Sequence, residues 1–386
     1  MEADERKSAE LAERVQALRT RGREHEARCE YEACVGAFAE LVDVQKSLGD
    51  EAGVAEARFW QGTAWHMRGR VTEALGVFGR SLDETSLDIA DPWLYMTITR
   101  LLRALIEQPF PLAEIHAAFR DVEAQLHEAR LPERRSRLLL ARARLALSRG
   151  RLGETLALGE ESLACRWRES HTYTWSSHYR VVLSACLWRG ELPRARRHLA
   201  SWAALCEATH LSRVSLACRR AELARREGEL GSALTLARSA WREAAPTEDA
   251  QLRIVAGHAY VRALLLAGRL APARTVLGRL FAGLHRLECG EHAFVLRALH
   301  ADWHLARARL AAGLPMLDPE CGSERPVRRP AERRAGEPAL ARARRLYACA
   351  GAYGRGIDRL LGTSLRTWEI EARLALCDRT EAELSR

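Results

Sequence analysis

Apolar residues recur three and four positions apart through nearly the whole chain, in segments built from Ala, Leu, Arg and Glu. That spacing puts them on one face of a helix, and those residue types favour one. The segments are broken at regular intervals by a glycine followed by Arg or Glu and then Leu or Val: Gly69-Arg70-Val71, Gly150-Arg151-Leu152, Gly190-Glu191-Leu192, Gly228-Glu229-Leu230 and Gly268-Arg269-Leu270. The last four glycines keep a nearly constant spacing of roughly 40 residues, within the range of helical-hairpin repeats. Gly69 stands two such periods before Gly150. The missing turn falls at Glu107-Gln108-Pro109-Phe110-Pro111-Leu112, where prolines replace the glycine. One period before Gly69 stands Cys29, and Gly313 follows Gly268 by slightly more than one period. The pattern predicts about eight helical hairpins of about 40 residues each. In each, the glycine takes the left-handed conformation that ends the first helix, and the Leu or Val two residues later packs back across the turn.

Small residues mark where paired helices must approach closely. Seven positions before the turn stand Gly22, Gly62, Ala143, Ala221 and Ala306; five after it stand Cys34, Ala74, Ala195, Ala233 and Ala273. Nine after it, Phe38, Phe78 and Phe119 recur as bulky plugs. A shared small-against-large register stacks hairpins side by side, so the expected fold is all-α, an α-solenoid wound into a right-handed superhelix.

The unit ARFWQGTAWHMRGRVTEALGVFGRSL, with Gly62, Trp65, Gly69, Ala74 and Phe78, resembles a tetratricopeptide repeat, and Tyr31-Glu32-Ala33-Cys34 with Phe38 resembles another. The resemblance covers roughly residues 12 to 313 and weakens later, where the aromatic position four before the turn becomes Ala146, Cys186, Ala224 and Leu264. In the third unit Arg103 occupies the small position. The long period is similar to that of arrays in large ATP-dependent bacterial transcription activators and peptide-sensing regulators, an analogy of architecture rather than of function.

After Gly313 the repeat breaks at LPMLDPECGSERPVRRPAERRAGEP, with five of the twelve prolines. The expected organisation is a repeat array over 1–313, an exposed, mobile Pro/Arg-rich insertion over 314–337, and over 338–386 the last hairpin helix with a closing helix from about Arg359 to Leu376.

Charge narrows the function. The chain carries 60 basic against 51 acidic residues, for +9, yet only Lys7 and Lys46 are lysine. A phosphate-binding loop, a kinase lysine or a Schiff base would need one of these two, and neither follows a glycine-rich loop. With no GxSxG elbow, HExxH or dinucleotide fingerprint either, the chain is not expected to be an enzyme or to hold a cofactor. Its acidic start, MEADERKSAE, does not read as a secretory signal, and no apolar run reaches the roughly 18 residues of a membrane span, so a cytoplasmic protein is expected. The ten cysteines form no CxxC pair and sit among Ala and Leu, as reduced core residues do. Cys289, His292, His300 and His304 form the best metal-like group, with His300 and His304 one helical turn apart, but packing explains it better and no metal is expected.

In arrays of the kind this chain resembles, the first helix of each hairpin lines the concave face, with inward residues about ten and six before the turn. Those positions hold Arg19, Phe59, Arg100, Leu140, Arg180, Cys218, His258 and Trp303, and Arg23, Thr63, Ala104, Arg144, Ser184, Glu222, Arg262 and Arg307. Seven of these sixteen are arginine and one is acidic. Guanidinium forks engage carboxylates and phosphates bidentately, so the expectation is a basic groove for an extended acidic or C-terminal peptide segment of a partner. Arg19, Arg23, Arg100, Arg144, Arg180, Arg262 and Arg307 would supply charge, Phe59 and Trp303 anchoring area, and His258 would line the same face. Two alternatives stay open: arginine filling every non-core helix position of this composition, and a helical-repeat protein that binds single-stranded RNA.

Overall fold

A computed structural model describes residues 2–107, 111–128, 135–165, 172–205, 210–283, 290–320, 324–325 and 333–385. Eight helix pairs follow one another: α1 Glu2–Ala27 with α2 Tyr31–Leu48, α3 Glu51–Met67 with α4 Val71–Asp83, α5 Pro92–Glu107 with α6 Leu112–Glu128, α7 Arg135–Ser148 with α8 Leu152–Ala164, α9 Thr172–Trp188 with α10 Leu192–Leu205, α11 His210–Arg226 with α12 Leu230–Ala244, α13 Ala250–Leu266 with α14 Leu270–Ala282, and α15 Gly290–Ala311 with α16 Arg333–Leu361. A last helix, α17 Leu365–Ser385, packs on α16. Between α15 and α16 a two-residue ladder pairs β1 Met316–Leu317 with β2 Glu324–Arg325 in antiparallel register. The fold is the expected right-handed α-solenoid. Among the described residues no helix is long and apolar enough to cross a membrane.

The turns lie where the glycines predict them. Gly69, Gly150, Gly190, Gly228, Gly268 and Gly313 all have φ between 67° and 84°. At Gly69 the backbone closes with the Gly69 N–H donating to His66 O and the Arg70 N–H to Trp65 O, which satisfies carbonyls the helix end would leave bare. Arg151 to Ala146, Glu191 to Cys186, Glu229 to Ala224 and Arg269 to Leu264 repeat the second bond. Cys29 takes the same role at φ 58° without being a glycine, a conformation that costs an L-residue about 1–2 kcal/mol. Its buried position, with its carbonyl accepting from Glu248 N at 3.3 Å, holds it there. Of the proline turn at 107–112, residues 108–110 lie outside the described residues.

The small-against-large register also holds. A Cβ on Gly22 would lie 2.6 Å from Phe38 Cε2, and one on Gly62 would lie 2.4 Å from Phe78 Cε1, so only a glycine lets each ring seat against the first helix. The recurrence of this pair in two successive hairpins, in the same register, is the packing rule that stacks them.

The superhelix meets itself. Tyr31 Oη donates to Asp249 Oδ2 at 3.2 Å, and Arg103 Nη2 to Gln251 Oε1 at 2.5 Å, joining the first three hairpins to the start of α13. Farther on, Arg366 Nη1 at the start of α17 donates to Ser148 O at 3.2 Å, and Thr363 Oγ1 to Arg149 O at 3.1 Å, joining the C-terminal pair to the α7–α8 turn. The first helices of the middle hairpins therefore face an enclosed interior.

Three expectations for the C-terminal part need correction. Helix α16 begins at Arg333, so Pro338 stands inside it, beyond the first turn, where the missing N–H would otherwise bond within the helix. The closing helix runs over Leu365–Ser385 rather than 359–376, because Gly362 ends α16 at φ 59° in a sequence unlike the other turns. Exposure of the insertion fails at its start, where Met316, Leu317 and Asp318 are all buried; residues 321–323 and 326–332 lie outside the described residues.

Candidate functional site

Two adjoining cavities open in the interior, of about 230 and 210 Å³. They share Ser184, Trp188 and Arg219 as a common wall. One wall of the first is a column of arginines: Arg103 from α5, Arg144 from α7, Arg180 from α9 and Arg219 from α11. Each stands about one repeat further along the chain than the one before, on the first helix of the next hairpin, so stacking the hairpins superimposes them. The opposite wall is apolar and comes from the C-terminal pair, with Ile357, Leu361 and Leu365. Arg366 also lines this cavity but is held by Asp358 at 3.2 Å.

Among the described residues, Glu107 and Glu222 are the carboxylates that pair with the column. Arg103 Nε donates to Glu107 Oε1 at 2.7 Å, and His66 Nε2 lies 2.7 Å from Glu107 Oε2. Burial alone would raise the Glu107 carboxyl, but the Arg103 and His66 partners hold it well below the usual carboxylate range. Burial lowers His66, outweighing its carboxylate neighbour. Arg219 Nη1 donates to Glu222 Oε2 at 2.8 Å. Among the described residues Arg144 comes no nearer to an acid than 3.9 Å, at Glu107 Oε1, and its side chain is only 13% exposed. Burial first, and then the guanidinia of Arg103 and Arg180, destabilise the charged form of Arg144 well below the ordinary arginine range. A guanidinium does not shed its proton in a protein, so Arg144 keeps its charge and adds positive potential to the cavity. An oxyanion placed there would receive charge-assisted hydrogen bonds from guanidinia that the fold partly shields from solvent.

The second cavity is electrostatically closed. Arg225 from α11 and Arg262 from α13 are both nearly fully buried, and they meet Asp318 and Glu320 from the segment after β1. Arg262 also pairs with Asp302 at 3.3 Å, and Asp302 accepts from Tyr347 Oη at 2.6 Å and Arg373 Nε at 3.2 Å. Burial would raise Glu320, but Arg262 and Arg225 hold it well below the usual range. Burial pushes His258 down to about 4, so its imidazole is neutral at pH 7.

Of the ten residues expected to share one groove, four reach these cavities: Arg144 and Arg180 in the first, His258 and Arg262 in the second. The rest do not. Arg19 pairs with Glu56 at 2.9 Å, and Arg23 lies 3.7 Å over the Trp60 ring. Phe59 is 1% exposed among Trp60 and Trp93, so it is core rather than an anchor, and Arg100 lies buried 5.9 Å over its ring. Trp303 is 8% exposed and spends its indole N–H on Leu270 O at 2.9 Å. Arg307 is exposed, 5.9 Å over the Trp303 ring. Large rings at ten before the turn pack between hairpins because the stack closes over them. Sequence reasoning does not reach Arg103, Arg219 and Trp188, although an arginine at the small position of the third unit is a visible signal. His300 and His304 stand ring against ring, with centroids 5.2 Å apart; Cys289 lies outside the described residues.

No protein-family model matches the chain, and no curated protein matches it. Solved structures do. A Rap protein crystallised as a complex with Competence and Sporulation Factor superposes with a TM-score of 0.52 at 10% identity, over 98% of this chain and 99% of that one. Yeast Tom70 gives 0.32 at 13% identity over 96% and 92%, and the TPR domain of P58(IPK) 0.24 at 14% over 96% and 98%. The first of these shows a shared fold; the other two superpose too loosely to add to it.

Proposed function

We propose that this chain, a helical solenoid of the tetratricopeptide kind, is a non-catalytic interaction protein, an adaptor or regulator that takes an acidic or C-terminal segment of a protein partner into its interior. A carboxylate of that segment sits among Arg103, Arg144, Arg180 and Arg219, and its apolar side chains lie against Ile357, Leu361 and Leu365. The observation that supports this reading is Arg144, a largely shielded guanidinium beside two others, whose nearest carboxylate among the described residues is 3.9 Å away. A fold does not keep such a charge for stability, since buried charges without close partners are costly; a bound anion offsets the cost. A Rap protein of similar fold forms a complex with Competence and Sporulation Factor, which supports a binding use of this architecture.

Phosphates would suit the same arginines, and a single-stranded RNA is the second reading. Recognition of single strands leans on aromatic faces for the bases, and among the described residues Trp188 is the one aromatic side chain lining the first cavity. A carboxylate peptide therefore fits better. The test is fluorescence anisotropy with a labelled pool of acidic peptides carrying free C-termini, against the wild type and an Arg144→Glu, Arg180→Glu double variant. Binding at least tenfold weaker in the variant, with circular dichroism unchanged, is expected; equal binding by both proteins, or binding of oligouridylate but of no peptide, would sink the proposal.

A further inference from the structure

The second cavity already holds a piece of this chain. Asp318, Pro319 and Glu320 leave β1 and enter between α11 and α13, where Asp318 is 2% and Glu320 20% exposed at the side chain. Glu320 Oε2 accepts from Arg225 Nη2 at 2.6 Å, and Glu320 Oε1 lies 2.7 Å from Arg262 Nη2 and 3.6 Å from His258 Nε2. Arg226 stands 3.9 Å from the same carboxylate. Asp318 meets Arg225 and Arg262. The two carboxylates are two positions apart with a proline between them, in a turn in which the Glu320 N–H donates to Asp318 Oδ1 at 3.0 Å, and both reach Arg225 and Arg262.

The arrangement is that of a bound acidic peptide, but an imperfect one. Arg262 Nη1 is 3.5 Å from Asp318 Oδ1 and makes no hydrogen bond. Beside the segment a cavity of about 210 Å³ remains, lined by Glu320 together with Arg225, Arg262 and His258, so a competing chain has room to enter. The ion pairs of Arg225 among the described residues are both to this segment, so its removal leaves that cation in want of an anion. Arg219 joins this cavity to the arginine column.

We propose that the cavity around Arg225, Arg226, Arg262 and His258 is a binding subsite for two carboxylates spaced two positions apart on an acidic peptide, and that the chain's own Asp318-Pro319-Glu320 occupies it as an internal competitor. The proposal rests on the peptide reading above. A ligand that fills the arginine column and continues past Arg219 displaces the segment, while Met316 and Leu317, buried beside α15, keep it tethered near its place.

The probe is a fluorescein-labelled synthetic peptide with the sequence of Leu314–Glu320, LPMLDPE, titrated into the wild type and into the full chain carrying Asp318→Asn and Glu320→Gln. The double variant, with its internal copy uncharged, is expected to bind the peptide at least tenfold more tightly than the wild type, and adding Arg262→Ala should remove the gain. Equal affinity in the two proteins, or a folded variant that does not bind, overturns the proposal. Should the variant fail to fold, hydrogen exchange on the wild type decides: saturating hexaglutamate is expected to raise exchange at residues 316–320, and unchanged exchange or no binding overturns the proposal. The peptide reading fails separately, through insensitivity to Arg144→Glu with Arg180→Glu.

Discussion

Replacing Arg144 by Gln should make the free protein more stable and the protein a poorer binder. The closest attraction of this charge among the described residues is to Glu107 at 3.9 Å, worth about 4 kcal/mol at the effective dielectric that suits protein sites. Against it stand burial and the like charges of Arg103 and Arg180, and these outweigh the attraction, since the charged form of Arg144 is disfavoured overall. Glu107 is not orphaned by the change, because Arg103 at 2.7 Å and His66 at 2.7 Å still hold it. Single stabilising substitutions commonly contribute roughly 0.5–2 kcal/mol, and a gain of that size is expected here. In a chain of this length that raises the melting midpoint by on the order of 2 °C. A charge-assisted hydrogen bond to a ligand carboxylate is worth about 1.5–3 kcal/mol, so affinity for an acidic peptide should fall by roughly 10- to 150-fold. Differential scanning fluorimetry and anisotropy on the same preparations measure both. A lowered midpoint with unchanged affinity would show that Arg144 is a structural partner of Glu107, and would refute the reasoning.

Two substitutions of one chemistry should differ in sign. Gly62→Ala puts a methyl 2.4 Å from the Phe78 ring and should destabilise by about 1–3 kcal/mol, whereas Gly36→Ala meets nothing within 4 Å in mid-helix and should stabilise by roughly 0.5–1 kcal/mol, both read by urea denaturation. Asp249 caps α13 through Leu252 N at 2.6 Å, and burial pushes its carboxyl up to about 6 from 3.8. The folded state then binds the extra proton, so stability falls as pH rises from about 4 to about 6, by about 3 kcal/mol in all. Asp249→Asn keeps the capping acceptor and should abolish that slope; a slope unchanged in the variant would assign it to other groups.

The architecture was legible because it is local and repeated. A glycine in the left-handed conformation, a leucine packing across the turn and a glycine opposite a phenylalanine are each decided within one hairpin, and repetition made them visible at Gly69, Gly190 and Gly228 and at the Gly22–Phe38 and Gly62–Phe78 pairs. That the interior carries arginine was also visible, in the right helices. Which arginines it carries was visible only in part: Arg144, Arg180 and Arg262 line the cavities, whereas Arg19, Arg23, Arg100 and Arg307 do not. The rotation of each hairpin against the next depends on how whole side chains pack, and it turned Phe59 and Trp303 into the core while setting Arg103 and Arg219 beside Arg144 and Arg180. Contacts between residues far apart in the chain, such as Arg103 to Gln251 and Arg366 to Ser148, leave no periodic trace, yet they enclose the cavity. The segment after Gly313 shows the limit most plainly: by composition it is a polar, proline-rich loop, and only tertiary structure brings Asp318 and Glu320 to Arg225 and Arg262. A sequence determines what a residue can do within one turn of helix; the meeting of charges from distant repeats is set by the closure of the superhelix.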